Sequence, residues 1–310
     1  MGDNMSIWFS LFLACGDKDN ASDDTASSDN TQDSQDTQDS QDTDNTDDTG
    51  SEPTDPAETD ADQDGIFADE DCDDENPWVS SDCGRTCTGD FEIIENDGLA
   101  DVAGCAVIEG KLNIDGISQT DLIALNSLES VTGSLWLFRI EGLESLRGLN
   151  KLESVGDGLI ISYNESLTTL SGIEALHTID GTLSITSDQA LTDMSALSNL
   201  KTVGGSILID RIAVDSFEAL GRLETIGASF YISECSNLTS IRDIANSLQS
   251  FGEDESIGTY DPDYGVIESL LYVYNNASLC ESEIDDTVVD LENMGWEGRK
   301  VSFNNSDSCK

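Results

Sequence analysis

The feature that most constrains the fold is an internal repeat of about 24 residues. Most units carry a short apolar phrase after a glycine, such as GSLWL, GTLSI or GSILI, which follows a longer phrase such as LNKLESVGDG or LSNLKTVGG. The last apolar residues of the seven short phrases are Ile114, Leu137, Ile161, Ile185, Ile209, Ile232 and Val273. One unit cannot bury its apolar side chains alone, whereas stacked units share a core. The repeat therefore predicts a mainly β fold, a right-handed parallel β-solenoid, in which the glycine before each strand allows a bend.

The C-terminal part departs from the repeat in two places. The step from Ile232 to Val273 is about 41 residues long, so we place an insertion near Ile244–Gly265. After Cys280 the apolar spacing becomes helical, and Gly295 is a stop signal. The residues that form the apolar side of this predicted helix are Ile284, Val288 and Leu291. We expect the helix to cap the last coil.

Alternate residues of each strand point away from the core. These outward positions are Asn113, Trp136, Ile160, Ser184, Leu208, Tyr231 and Tyr272, and the next outward column adds Phe138 and Tyr274. A solvated sheet face is normally polar, and an apolar, aromatic patch often marks a binding surface. We therefore predict a binding face that includes Trp136, Phe138, Tyr231, Tyr272 and Tyr274. Two alternatives stay open, because such residues have high β-propensity and because the insertion could cover them.

The chain is strongly acidic, with 64 Asp and Glu residues, 13 Lys and Arg residues and a formal net charge of −51. Residues 15–59 contain almost no large apolar side chain and repeat Asp at a spacing of about three. They cannot bury a core and repel themselves, so we predict a disordered, extended tether. Nucleic acid and anionic membrane surfaces are poor partners for such a chain because like charges repel.

Residues 1–14 are interpreted as a signal peptide. The apolar run IWFSLFLA ends at Cys15 and is too short to span a bilayer. It resembles a bacterial lipoprotein signal, which implies cleavage before Cys15, lipid on that cysteine and a place in the bacterial cell envelope, as an outer-membrane or surface lipoprotein. No Lys or Arg precedes the run, and Phe12 stands where Leu is usual. A plain secretory signal and a misplaced start codon are the alternatives.

Residues 60–86 contain a candidate calcium loop, DADQDGIFADEDCD. Calcium prefers hard oxygen ligands around a tight turn, and a D-x-D-x-D-G pattern supplies them. The predicted ligands are Asp60, Asp62, Asp64, the backbone carbonyl of Ile66, and Asp71, with Asp69 or Asp73 completing the shell. Asp at the last position and the upstream prolines depart from an EF-hand, and the segment is closer to thrombospondin type 3 repeats. A chance match in an Asp-rich tract is the alternative.

The sequence offers few groups for catalysis. The single histidine, His177, occupies a variable polar position of the repeat, so we predict that it lies on the surface. No Ser-His-Asp or Cys-His set can be assembled around it, and most zinc sites need more histidines. Cys235 occupies the position that Asn164 and Asn276 hold in other units, which predicts a buried structural thiol.

The repeat resembles the receptor L domain, the leucine-rich-repeat-like solenoid of the insulin and epidermal growth factor receptor ectodomains. The segments that carry the resemblance are CTGDFEIIENDGLADVAGCAVIEGKLNI at the start and LYVYNNASLC with MGWEGRKVSFNNSDSC at the end, so it covers residues 87–310. The disulfides that it implies are Cys87–Cys105 and Cys280–Cys309 at the two ends, which leaves Cys72–Cys83 to hold the calcium loop. Receptor L domains bind protein ligands, which by analogy favours a recognition function.

Three functions fit these features. The first is a non-catalytic recognition or adhesion module at the cell surface, displayed on the acidic tether, stiffened by calcium, and bound to an extracellular protein or glycan. The second is a β-solenoid polysaccharide lyase, for which Arg139 and Arg211 are the candidate basic residues. The third is a passive structural protein of the envelope. The sequence favours the first because it accounts for the lipid signal, the tether and the aromatic face together.

Overall fold

A computed structural model describes Pro77, residues 84–252, 259–261, 265–267 and 269–307. In these residues the backbone forms stacked coils, and each coil contributes strands to two parallel sheets. The mainly β, parallel solenoid that the repeat predicts is confirmed. The signal, the tether and the calcium ligands, all within residues 1–76, lie outside the described residues.

Two large sheets enclose the core. The eight-stranded sheet is formed by β1 (Arg85–Thr88), β3 (Cys105–Glu109), β5 (Ser130–Val131), β7 (Ser154–Val155), β9 (Thr178–Ile179), β11 (Thr202–Val203), β13 (Thr225–Ile226) and β15 (Ser250–Phe251). The nine-stranded sheet is formed by β2 (Phe91–Ile93), β4 (Leu112–Asp115), β6 (Leu135–Phe138), β8 (Leu159–Ser162), β10 (Leu183–Thr186), β12 (Ile207–Asp210), β14 (Phe230–Ser233), β18 (Leu270–Tyr274) and β19 (Arg299–Phe303). All neighbouring strands in both sheets are parallel.

Smaller elements connect or cap the coils. A hairpin pairs β16 (Thr259–Asp261) with β17 (Gly265–Ile267), and one helix, α1, spans Glu281–Asn293. Short 3-10 turns lie at Asn96–Asp101, Ile123–Leu125, Ser195–Asn199, Glu218–Leu220 and Arg242–Ala245. In the part of the chain that the structure describes, no helix is both long enough and apolar enough to cross a membrane.

The core lies between the two sheets. The seven apolar positions that define the repeat are fully buried. Inward-facing residues of the eight-stranded sheet, such as Val155, Ile179 and Val203, are also fully buried. In β10, for example, Leu183 and Ile185 are buried, whereas Ser184 is only partly buried. Burying one such side chain stabilises the folded state by about 1.5–3 kcal/mol. The predicted inward and outward alternation is therefore confirmed.

The glycines between the two sheets allow close packing of the coils as well as a bend of the chain. The φ angles of Gly133, Gly156, Gly181, Gly204 and Gly227 lie outside the left-handed region. A Cβ atom on any of them would lie 1.8–2.6 Å from a backbone carbonyl oxygen of the preceding coil. The chain bends at these glycines, as predicted, and the contact between the backbones of adjacent coils is a second requirement that leaves no room for a side chain.

A ladder of polar side chains, buried at Asn164 and Asn276 and partly buried at Asn305, links the turns that follow the strands of the nine-stranded sheet. The side-chain oxygens of Asn164, Asn276 and Asn305 each accept a hydrogen bond from a backbone N–H of the adjacent coil. The donors are Ile140, Cys235 and Asn276, at 2.9, 3.0 and 3.1 Å, respectively. The amide groups of the three asparagines donate to the carbonyls of Leu137, Ile232 and Val273, respectively, at 3.0–3.3 Å. Cys235 lies in this ladder as a buried free thiol, as predicted, and burial raises its pKa to about 12. It is a structural residue.

Asp188 occupies the same ladder position as those asparagines. Its Oδ1 accepts the backbone N–H of Asn164 at 2.6 Å. By register, its Oδ2 lies where the asparagines donate to a carbonyl, but a carboxylate has no proton to donate. Among the described residues Oδ2 has no hydrogen-bond partner. Burial raises the pKa of Asp188 to about 7.

Both ends of the solenoid are closed. At the N-terminal end the disulfide Cys87–Cys105 joins β1 to β3, as the resemblance implies. At the C-terminal end Cys280 is disulfide-bonded and precedes α1, in which Ile284 and Leu291 are buried. The ring of Trp296 stacks on Phe251 at 5.3 Å and closes the core. The predicted capping helix is confirmed, whereas Cys72, Cys83 and Cys309 lie outside the described residues.

The insertion begins later than the sequence indicates. Ile244 is fully buried in a 3-10 turn that matches those of earlier coils, and β15 then completes a regular coil by pairing with β13. The extra residues therefore lie between Phe251 and Leu270, so the predicted start at Ile244 is wrong. The apolar spacing of this coil is regular, but its phrase ends in LQSFG, with Phe where other coils have Val or Ile.

We expect Gly227→Ala to lower the free energy of unfolding by about 2–3 kcal/mol, because the new methyl group overlaps a neighbouring coil. Its Cβ would lie 1.8 Å from the carbonyl oxygen of Gly204. Gly98→Ala is the control, since its nearest contact is a side-chain atom of Ile93 at 3.3 Å. Urea unfolding followed by circular dichroism measures both, and equal losses would contradict the backbone-contact explanation.

We expect Asp188→Asn to stabilise the protein above pH 7, because Asn satisfies the ladder without a buried charge. The folded-state pKa of about 7 exceeds the unfolded value, so the stability of the natural protein is highest below pH 4 in this respect and falls as pH rises through 7. The gain of the variant should grow over that window and reach on the order of 4 kcal/mol at most. Asp180→Asn, which removes an exposed charge in the same coil, is the control. Urea unfolding at several pH values measures the free energy of unfolding of both variants. Equal changes with pH in the two variants would contradict the prediction.

Candidate functional site: the outward face of the nine-stranded sheet

The register of the nine-stranded sheet sets the predicted outward residues side by side. One row runs across the strands and contains Asn113, Trp136, Ile160, Ser184, Leu208, Tyr231, Tyr272 and Val301. All of them are partly buried. A second row, two residues further along each strand, contains Asp115, Phe138, Ser162, Thr186, Asp210, Ser233, Tyr274 and Phe303. The aromatic residues of this face cluster towards its two ends.

The N-terminal aromatic cluster consists of Trp136, Phe138 and Tyr163. The rings of Phe138 and Tyr163 meet edge to face at 5.3 Å. The guanidinium of Arg139 lies over the Phe138 ring, 4.8 Å from its centroid. Asp115 holds that guanidinium through two hydrogen bonds of 2.7 and 2.9 Å, and these raise the pKa of Arg139. The cluster therefore contains its own cation, fixed between a ring and a carboxylate.

The C-terminal aromatic cluster consists of Tyr231, Tyr272, Tyr274 and Phe303. Ring centroids of adjacent members are 5.1–5.9 Å apart. Tyr274 and Phe303 are stacked, with an interplanar angle of 20°. Burial among these rings raises the pKa of Tyr272. Such pairs contribute about 0.5–1.5 kcal/mol beyond the area they bury, so the rings form a preorganised apolar surface.

Small and polar residues separate the two clusters. β10 contributes Ser184 and Thr186 to the face, and the Thr186 hydroxyl lies 2.7 Å from that of Ser162. On the next strand, Asp210 accepts a hydrogen bond of 2.6 Å from Ser233. Burial raises the pKa of Asp210, although this bond and the charge of Arg211 act in the opposite direction. The apolar and aromatic stripe that the sequence predicts is therefore interrupted at β10, where Ser184 lies between Ile160 and Leu208, and its aromatic residues form two clusters.

One edge of the face is formed by residues in the left-handed conformation. In the nine-stranded sheet, the residue after each of the seven strands from β6 to β19 has a positive φ of 50–64°. These residues are Arg139, Tyr163, Ser187, Arg211, Glu234, Asn275 and Asn304. Asn tolerates this conformation, but for bulky residues it costs about 1–2 kcal/mol each. The conformation recurs after all seven strands, and in two of these places it sets Arg139 and Tyr163 against the ring of Phe138.

Sequence reasoning missed two residues of the face. Tyr163 is 45% exposed and Phe303 is 38% exposed, so both present rings to solvent. Tyr163 follows its strand, at a position where a tyrosine gives no sign of a left-handed turn. Phe303 lies in the closing phrase RKVSF, whose alternation of Arg299, Val301 and Phe303 would have indicated a further strand. The five predicted face residues do lie on the face: two of them belong to the N-terminal cluster and three to the C-terminal cluster.

The residues considered for catalysis are not brought together. Arg139 and Arg211 occupy the same edge but are three strands apart, about 14 Å by the spacing of strands. Arg139 is paired with Asp115, and Arg211 lies 2.9 Å from Asp210 and 3.9 Å from Glu234. His177 is exposed, as predicted, and its Nδ1 contacts the carbonyl of Glu153. In the described part of the chain no three His, Cys, Asp or Glu side chains are arranged to hold a metal ion.

Comparison with known proteins agrees with this architecture. The family model of the receptor L domain matches residues 104–171 and 177–288, which together make up more than half of the chain. Among curated proteins none matches the sequence. The matched residues include β4 to β14, β18 and most of α1, and with them every member of the two aromatic clusters except Phe303.

Proposed function

Because this chain belongs to the receptor L domain family, whose members are non-enzymatic ligand-binding domains, we propose that it is a recognition or adhesion module of a bacterial cell envelope. It uses the outward face of the nine-stranded sheet to bind an extracellular protein or glycan. The observation that carries this proposal is the pair of aromatic clusters on that face, with Tyr163 and Phe303 exposed. Exposed aromatic surface on a rigid sheet is typical of binding sites.

The geometry favours binding over polysaccharide cleavage. A lyase needs a basic group that can accept a proton near the operating pH. The partners of Arg139 raise its pKa, which makes it a poorer proton acceptor. Arg211, about 14 Å away by strand spacing, cannot assist it directly. We therefore propose that the protein is not an enzyme and that both arginines orient or hold a ligand.

The N-terminal residues are proposed to set the position of this face. Lipid on Cys15 anchors the chain, the acidic residues 15–59 extend by self-repulsion, and calcium neutralises the crowded carboxylates of residues 60–71. Bound calcium would order the segment next to the solenoid, so its role is geometric. The support is the sequence pattern of each segment.

We expect the double variant Trp136→Ala, Tyr231→Ala to lose its partner from extracts of cell surfaces. The full chain is immobilised with calcium or with a chelator and is challenged with extracts and with a glycan panel. Because each cluster loses one aromatic contact, the amount retained should fall at least about fivefold. The control is Val289→Ala, Met294→Ala, which removes exposed apolar area on and after α1. Absence of any saturable ligand would favour a passive envelope protein instead.

Calcium binding has a separate test. We expect the full chain to bind calcium in titration calorimetry, and Asp62→Asn, Asp64→Asn to weaken that binding at least about tenfold, because two ligand charges are lost. Asp36→Asn, Asp39→Asn removes the same charge from the tether and should have little effect. If the two double variants bind calcium equally well, the loop is a chance match in an acidic tract.

A further inference from the structure

The two aromatic clusters differ in one respect that bears on the ligand. In the N-terminal cluster the residue after Phe138 is Arg139, and its guanidinium covers the ring at 4.8 Å. In the C-terminal cluster the residues at the equivalent positions, after Tyr274 and Phe303, are Asn275 and Asn304. These asparagines bond to each other at 3.1 Å. Over residues 84–252 and 269–307, Arg139 is the one cation recorded over an aromatic ring.

The stacked pair Tyr274 and Phe303, here called the terminal platform, has a ring face to offer. The two rings are stacked at 5.2 Å, so each uses one face for the other. β19 is the last strand of its sheet among the described residues. The second face of the Phe303 ring therefore has no further strand of the described chain beside it, and Phe303 as a whole residue is 38% exposed. A flat group can stack on this face.

The charge of the protein selects the kind of group. Residues 84–310 contain 38 Asp and Glu residues against 12 Lys and Arg residues, so the solenoid itself is acidic and attracts cations more than anions. A guanidinium is planar and weakly hydrated, and it stacks on aromatic rings, as Arg139 does on Phe138. The described cations on β19 and in the turn after β12 are already engaged, and on β19 Lys300 pairs with Glu281 and Asp285. Arg211 pairs with Asp210 and Glu234, and Arg299, at the other end of β19, also has a partner.

We propose that the terminal platform receives an arginine side chain of a protein partner, in the way that Phe138 receives Arg139. This inference rests on the proposed function, because it names the partner chemistry of the same face. The partner is a polypeptide with an accessible arginine. The Phe138 ring of the N-terminal cluster already holds its own cation, so the arginine of the partner binds at the terminal platform, while Arg139 and the rings beside it contact other parts of the ligand. The match between an acidic receptor and a basic partner also raises the association rate at low salt.

The test uses the full chain and a dye-labelled nonapeptide of alternating glycine and arginine. Its counterpart in which citrulline replaces arginine has nearly the same shape without the charge. Fluorescence anisotropy gives the dissociation constants. The variant Tyr274→Leu, Phe303→Leu removes the terminal platform without changing any charge, and Phe138→Leu, Tyr163→Leu does the same for the N-terminal cluster. Circular dichroism verifies that both variants remain folded.

We expect the arginine peptide to bind, the citrulline peptide to bind at least tenfold more weakly, and loss of the platform to weaken arginine binding about three- to tenfold. Loss of the N-terminal cluster should change the constant less than twofold. Equal binding of both peptides, or equal loss in both variants, would overturn the proposal in favour of non-specific attraction to an acidic surface. A chitin tetrasaccharide that binds the natural protein but not the platform variant would also overturn it, while recognition by this face would stand. The proposed function itself fails only if no extract, glycan or peptide depends on either cluster.

Discussion

The close contact of backbones between successive coils is the constraint on which the rest of the structure depends. At the glycine corner a carbonyl oxygen of one coil occupies the place where a side chain of the next would begin, as with Gly227 above Gly204. The same corner is held by backbone hydrogen bonds such as that from Gly181 to Asp157, at 2.7 Å. Coils that approach this closely cannot slip past one another, so the register of the strands is fixed. The register in turn decides which side chains share the outward face.

The core could be predicted from the sequence because one rule governs it. Residues such as Leu183 and Ile185 recur at a fixed spacing, and their burial follows directly from alternation along a strand. The same rule placed Trp136 and Tyr231 on the outer face. The alternation rule could not predict the interruption between the two aromatic clusters, because that interruption depends on the small outward side chains of one strand, β10. The insertion was misplaced at Ile244 for a related reason, since the coil that contains this residue keeps its apolar spacing but ends in Phe251.

The left-handed edge was invisible to sequence reasoning, and the reason is physical. A left-handed residue is normally inferred from glycine or asparagine, whose side chains tolerate it. Here Arg139, Tyr163 and Arg211 adopt this conformation because the stacked coils above and below fix the backbone path. The fold therefore imposes strain that these side chains would not choose alone. The same stacking places Asp188 in an asparagine ladder, where burial keeps its pKa near 7. Neither feature can be read from one repeat unit.

The separation of the two aromatic clusters limits what can bind. Trp136 and Tyr231 are four strands apart, about 19 Å by the spacing of parallel strands, so a ligand that touches both clusters must be elongated or broad. Each exposed ring contact is weak by itself, but two contacts on one rigid sheet act together, because the second forms at high effective concentration once the first is made. The sheet is rigid because the backbones of successive coils are in close contact at the glycines. Specificity then comes from the distance between the two clusters and from the charge at each of them. The protein supplies the cation beside Phe138, which is Arg139, whereas the ligand supplies the cation beside Phe303.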